Sequence, residues 1–105
     1  MLQGDCYNLP FRITRHGRIM TNEDVSEVEI CIGRLNKKYS NNAVFFSEGL
    51  WYFPFSQEET FAFRSTEQPI QIRIMFPSGE VKGFDLGNID VKGSLSKDVL
   101  VINHD

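Results

Sequence analysis

Residues 27–33 read EVEICIG and residues 70–76 read IQIRIMF, and these two stretches decide the fold class. In the first stretch, valine and isoleucine alternate with glutamate and cysteine. In the second, isoleucine and phenylalanine alternate with glutamine, arginine and methionine. Apolar side chains at every second position place one face of a β-strand against a core. Because the chain has no sustained helical period, we predict an all-β fold built around these two amphipathic strands.

Turn signals separate the other apolar stretches of the chain at intervals of about 8 to 12 residues, as in β-sandwiches and barrels. Pro77-Ser78-Gly79-Glu80 is typical of a tight turn, Ser47-Glu48-Gly49 of a hairpin loop, and Gly87-Asn88 of a further turn. About seven short strands cannot all bury their apolar faces in one small sheet. We therefore predict an immunoglobulin-like antiparallel β-sandwich.

One short helix interrupts the strand pattern. Ser56 and Glu59 have the spacing of a capping box, in which each side chain accepts a hydrogen bond from the backbone N–H of the other residue. Alternation resumes at Phe61 and Phe63, so we predict a single helical turn near Ser56–Thr60. Capping and the helix dipole explain the neighbouring carboxylates of Glu58 and Glu59 better than acid–base catalysis does.

Length and charge limit the classes of function. The 105 residues suggest one domain, residues 1–105, and the net charge of −3 lacks the basic excess that binding a nucleic-acid backbone requires. The longest apolar run, Leu50–Phe55, is far shorter than the roughly 20 residues of a membrane-spanning helix. The first residues do not resemble a signal peptide. We expect no nucleic-acid partner, no membrane span and synthesis in the cytoplasm.

Residues that could support catalysis or metal binding are few. Cys6, Cys31, His16 and His104 do not form the paired spacings of a zinc site. We expect free thiols, although a Cys6–Cys31 disulfide stays open, and we expect Cys31 to be a half-buried residue rather than a reactive thiol. Neither a nucleophile–base pair nor a phosphate-binding loop is evident. We therefore predict no catalytic residues, no metal, no cofactor and no enzymatic activity.

The aromatic stretch around Trp51 is the candidate binding site. Trp51 and Tyr52 are adjacent in a predicted strand, so their side chains leave opposite faces and only one of them can lie fully in the core. The other aromatic ring, together with Phe53, could anchor a protein partner or stack on a sugar, although burial at a sheet edge is the favoured alternative. Pro54 cannot donate to a strand ladder, which places this segment at an edge or a strand end.

Three segments of the chain resemble a known family: SQEETF at residues 56–61, QIRI at 71–74 and LSKDVL at 95–100. They resemble small prophage-encoded proteins of Gram-positive bacteria, which look like the immunoglobulin-like N-terminal domain of phage baseplate upper proteins. The likeness covers approximately Gly4 to Leu100. Ser56 stands where threonine is commoner in the family, and the hairpin from Val44 to Phe55 is richer in aromatic residues.

The resemblance implies a structural or assembly role in a phage tail or baseplate, through protein–protein contact and without catalytic residues. It implies tail or baseplate proteins as partners, a homo-oligomer as a further expectation, and synthesis in the bacterial host cytoplasm with the virion as a further location. An alternative from a different class is a carbohydrate-binding module that uses exposed aromatic residues to bind host cell-wall glycans. A third hypothesis is an inhibitor of a host defence factor, for which the sequence offers no motif.

Overall fold

A computed structural model of the chain describes residues 1–101. The elements are, in chain order, β1 (Tyr7–Phe11), β2 (Thr14–Arg15), β3 (Arg18–Ile19), β4 (Glu27–Ile32), β5 (Leu35–Lys38), a 3-10 turn (Tyr39–Asn41), β6 (Phe45–Ser47), β7 (Leu50–Phe55), α1 (Gln57–Phe61), β8 (Glu67–Met75) and β9 (Val81–Asp90). The paired strands are antiparallel, so the predicted all-β class is confirmed. His104 and the rest of residues 102–105 lie outside the described part.

Two larger sheets share one hydrophobic core. The three-stranded sheet has the order β1-β7-β6, the four-stranded sheet has the order β5-β4-β8-β9, and β2 and β3 form a separate hairpin. Buried side chains from both larger sheets belong to the same cluster. Two sheets with one apolar face each satisfy the burial requirement that a single sheet cannot meet. The more specific assignment to an immunoglobulin-like sandwich stays a prediction.

The strands β4 and β8 bury the alternating residues that the sequence indicates. Ile30 lies opposite Ile72 and Val28 opposite Ile74, and all four side chains are buried. Burying an aliphatic side chain of this size is worth about 1.5–3 kcal/mol. Glu29 departs from the pattern, because its side chain is also buried although it lies on the opposite, more polar face.

The aromatic strand β7 lies in the middle of its sheet, so the predicted edge position is wrong for its first half. Residues 50–52 pair with β6 on one side, while residues 51–55 pair with β1 on the other. The β6 pairing ends at Tyr52, which leaves Pro54 beyond the end of that ladder. A proline is tolerated there because no neighbouring strand on that side needs its missing N–H.

The hairpin between β8 and β9 forms at the predicted turn. Gly79 N–H donates to the Phe76 carbonyl oxygen at 2.8 Å, and Phe76 N–H donates to the Glu80 carbonyl oxygen at 2.9 Å. The turn expected at Gly87-Asn88 is wrong, because β9 continues through both residues to Asp90. The pairing with β8 instead shifts register near Pro69, and Gly87 takes a φ of 88° that a β-bulge accommodates.

The short helix α1 has the predicted capping box. The Ser56 hydroxyl accepts from Glu59 N–H at 3.1 Å, and the Glu59 carboxylate accepts from Ser56 N–H at 2.9 Å. Buried Thr60 fastens the helix to the start of the chain, because its hydroxyl accepts from Gly4 N–H and donates to the Asp5 carbonyl oxygen, both at 2.8 Å.

Candidate protein-docking surface

The three aromatic residues that the sequence singles out have different environments. Trp51 and Phe53 are fully buried, and the Trp51 indole donates to the Met20 carbonyl oxygen at 3.1 Å. Neither side chain is therefore available to an outside partner. Both are buried, as the favoured alternative has it, but in the core of the molecule. Tyr52 points to the other face of β7 and is half-buried.

Tyr52 forms an aromatic platform with Phe45 on the outer face of the three-stranded sheet. The two rings stack with their centroids 4.8 Å apart and their planes inclined by 19°. They lie directly opposite each other in the β6–β7 hairpin, and Phe45 is exposed. A flat pair of rings of this kind can pack against a protein side chain or a sugar face.

The inner face of β9 is a second exposed apolar surface, which sequence reasoning missed. Phe84 lies opposite the buried Ile72 in the β8–β9 ladder, yet it is 47% exposed, and Leu86 is 51% exposed. This exposure shows that the three-stranded sheet does not cover this part of β9. On the same face of the sheet, β8 therefore buries its apolar side chains whereas β9 exposes them.

A groove between β1 and β9 continues this surface into the molecule. It contains two cavities of about 250 Å³ and 170 Å³, which share Phe11 and Leu86. The apolar residues that line it are Leu9, Pro10, Phe11, Ile13, Ile30, Phe53, Ile70, Ile72, Ile74, Phe84 and Leu86. Arg12 and Asp85 line the wider cavity as well, so the apolar floor has one charge of each sign beside it. We call this feature the β1–β9 groove.

The strands on both sides of the groove are edges within residues 1–101. There, β1 pairs only with β7 and β9 pairs only with β8. Exposed apolar side chains beside an edge with free backbone groups favour the addition of a strand or a loop from another chain. The groove is therefore suited to an extended apolar segment.

A basic pocket of about 520 Å³ lies at the β2–β3 hairpin, far from the aromatic platform in sequence. The Arg15 guanidinium stacks 4.3 Å from the centre of the Phe76 ring, and Arg18 forms an ion pair with Asp24 at 3.0 Å. His16 occupies the predicted turn and lines the same pocket. Because Asp24 neutralises one of the cations, the pocket has only a modest excess of positive charge.

The buried Glu29 stabilises the outer face of the four-stranded sheet. Its carboxylate accepts from the Arg73 Nε at 2.7 Å and from the Asn36 amide at 3.1 Å. Hydrogen bonds from Asn36 and then Arg73 lower the pKa of Glu29 below its ordinary value. A carboxylate held in its charged form in this way is a structural ion-pair partner and is poorly suited to proton transfer at neutral pH.

The two thiols are free, as the sequence suggests, with Cys6 exposed and Cys31 half-buried. Burial, followed by the nearby Glu29 charge, raises the pKa of Cys31. The reactive form of cysteine is the thiolate, so this environment opposes nucleophilic chemistry at Cys31.

Comparison of the chain with protein-family models, with curated proteins and with solved structures finds no match. Among residues 1–101, α1 is the sole α-helix, and its five residues are too few to cross a bilayer.

Proposed function

We propose that this chain is a non-enzymatic structural or assembly protein of a phage tail or baseplate, which acts through protein–protein contact. It is made in the cytoplasm of a bacterial host and then joins, or helps to build, the particle. The observation that supports this function best is the uncovered inner face of β9, where Phe84 and Leu86 are about half exposed beside an apolar groove. Contiguous exposed apolar surface next to a sheet edge is typical of interaction sites.

The dimensions of the groove favour a polypeptide over a small ligand. Its two cavities are each smaller than the roughly 300–1,000 Å³ of a pocket for a drug-sized molecule. Successive residues 9–14 and 84–86 line them, and they share Phe11 and Leu86, so an extended segment can occupy both. The family resemblance at residues 56–61, 71–74 and 95–100 supplies the class of partner, a tail or baseplate protein.

The experiment is affinity capture from phage-producing cells, with the captured proteins identified by mass spectrometry. Tagged wild-type chain is compared with Phe84→Ser and with a control, Ile19→Ser, which alters an exposed apolar side chain on β3 outside the groove. We expect tail or baseplate proteins with the wild type and the control, and their loss with Phe84→Ser. Capture that is unchanged by Phe84→Ser, or that yields no tail or baseplate protein, would refute the proposal.

A second candidate is a carbohydrate-binding module for cell-wall glycans, which the exposed Phe45–Tyr52 stack favours. Trp51 and Phe53 cannot take part because they are buried, so this hypothesis now depends on Tyr52 and Phe45. Titration with purified cell-wall glycan fragments tests it. Saturable binding that Tyr52→Ala abolishes and Phe84→Ser preserves supports the glycan hypothesis over the proposed function.

A further inference from the structure

The segment from Leu95 to Val101 displays large apolar side chains to solvent. Leu95 is fully exposed, Leu100 is 80% exposed and Val101 is 77% exposed. A segment that served only as a solvated connection would be expected to be polar. The exposure of several aliphatic residues within seven positions is typical of a segment that contacts another surface.

The backbone of this segment is held while its side chains point outward. The Gln57 side-chain amide donates to the Leu100 carbonyl oxygen and accepts from the Leu100 N–H, each at 2.8 Å. These two bonds occupy the backbone of Leu100 and leave its side chain free. Helix α1 therefore fixes the position of the segment, which reduces the conformational entropy that docking it would otherwise cost.

The β1–β9 groove matches the segment in both apolar character and charge. Arg12 and Asp85 stand beside the apolar floor, and Lys97 and Asp98 stand between the exposed aliphatic residues of the segment. None of these four side chains forms an ion pair within residues 1–101, although Lys97 donates a hydrogen bond to the Gln3 side-chain oxygen and Asp85 accepts one from Gly87 N–H. One cation and one anion on each surface permit two ion pairs when the segment lies in the groove.

We infer that the segment 95–101 of one copy of this chain docks in the β1–β9 groove of a second copy. This inference rests on the proposed function and names a second copy as one of the assembly partners. The aliphatic side chains of the docked segment would cover Phe84 and Leu86 of β9. The contact joins two different surfaces, so two copies can exchange segments reciprocally in a two-fold dimer, and further copies can form a closed ring or an open chain.

Light scattering coupled to size exclusion, under reducing conditions and at a series of concentrations, measures self-association of the full chain. We compare the wild type with a groove variant, Leu86→Asp, a segment variant, Leu100→Asp, and the control Ile19→Asp. The wild type and the control are expected to associate, and each of the other two variants alone is expected to be monomeric. Thermal denaturation of each variant establishes that it is folded.

Mixing the two monomeric variants is the decisive step. The segment variant retains an intact groove and the groove variant retains an intact segment, so the mixture is expected to form one contact and a discrete heterodimer. A two-fold contact of β9 with itself would not be restored by mixing. Absence of a heterodimer, a wild type that is monomeric at every concentration, or association that survives Leu100→Asp would overturn the inference.

Charge reversal provides a test that does not alter the apolar surfaces. Arg12→Glu or Asp98→Lys alone should weaken association by about two- to fivefold, as expected for exposed ion pairs, and the double variant should recover it. Additive losses in the double variant would refute the proposed pairing of groove and segment.

If self-association fails while capture of tail proteins still depends on Phe84, the inference falls and the proposed function stands. If the chain self-associates by this route but captures no tail or baseplate protein, the inference stands and the proposed function falls.

Discussion

Replacing Glu29 by glutamine should destabilise the protein although it changes almost nothing in side-chain shape. The Glu29 side chain is 8% exposed and uses one carboxylate oxygen for Arg73 and the other for Asn36. In Glu29→Gln the negative charge that faces Arg73 and Lys38 is lost, and the new NH₂ group faces a donor unless the Asn36 amide turns to present its oxygen. The ionic component of the remaining hydrogen bond is lost as well.

The size of the effect follows from how unevenly the pair is buried. Removing one partner of a fully buried ion pair costs about 3–5 kcal/mol, whereas an exposed pair is worth about 0–1 kcal/mol. The Arg73 side chain is 65% exposed and can be solvated by water after the substitution. We therefore expect the free energy of unfolding to fall by about 2 kcal/mol, between these two limits.

Urea denaturation at pH 7 measures this change as a lower midpoint with an unchanged m-value. The matched control is Glu23→Gln, since Glu23 is exposed and forms no ion pair within residues 1–101. That substitution should alter the free energy of unfolding by less than about 0.5 kcal/mol. A loss at Glu29→Gln no larger than that of the control would refute the argument that Glu29 stabilises the sheet.

The ion pair between Glu29 and Arg73 also predicts how the difference in unfolding free energy between wild type and Glu29→Gln depends on pH. Folding lowers the pKa of Glu29 from its ordinary value of 4.5, so the folded state favours the charged carboxylate. The resulting stability is fully present above that ordinary value and is lost as the pH falls through the lower pKa of the folded state. The gap between wild type and Glu29→Gln should stay constant from neutral pH to about pH 5 and shrink in stronger acid. A gap that is unchanged down to acid unfolding would contradict this assignment.

Three further substitutions test the packing and the caps by thermal or urea unfolding. Trp51→Phe should cost about 2–3 kcal/mol, because it leaves a void and removes the indole hydrogen bond to Met20; a loss below about 1 kcal/mol would contradict full burial. Ser56→Ala should cost about 1 kcal/mol, whereas Ser56→Asp should retain the cap and most of the stability; equal losses would show that the cap contributes little. Gly4→Ala should cost more than Gly49→Ala, since both have positive φ but only at Gly4 would a Cβ come within 2.7 Å of Phe61; equal losses would show that the ring moves aside.

Local patterns in the sequence predicted the elements whose cause is local. The capping box at Ser56 and Glu59 and the hairpin turn at Pro77-Ser78-Gly79-Glu80 both depend on side chains within a few residues of each other, and both form. The bulge at Gly87 was mistaken for a turn because a glycine with positive φ serves either purpose. Only the partner strand β8 decides between them.

The candidate site was the part that local patterns predicted least well. Trp51 and Phe53 are candidates for contact in the sequence, but they share the face of β7 that packs into the core. The β1–β9 groove gave no signal, because the alternation in β9 resembles that of any strand with one buried face. Its exposure depends on where the opposite sheet ends, which no residue of β9 encodes.

By itself, the sequence determined the all-β class, the two central amphipathic strands and the short capped helix, because each depends on side-chain alternation or on contacts between near neighbours. The tertiary structure alone decided the depth of Glu29, the central position of β7 and the uncovered inner face of β9. These features depend on pairing between distant strands and on the different widths of the two sheets, which are settled only when the whole core packs.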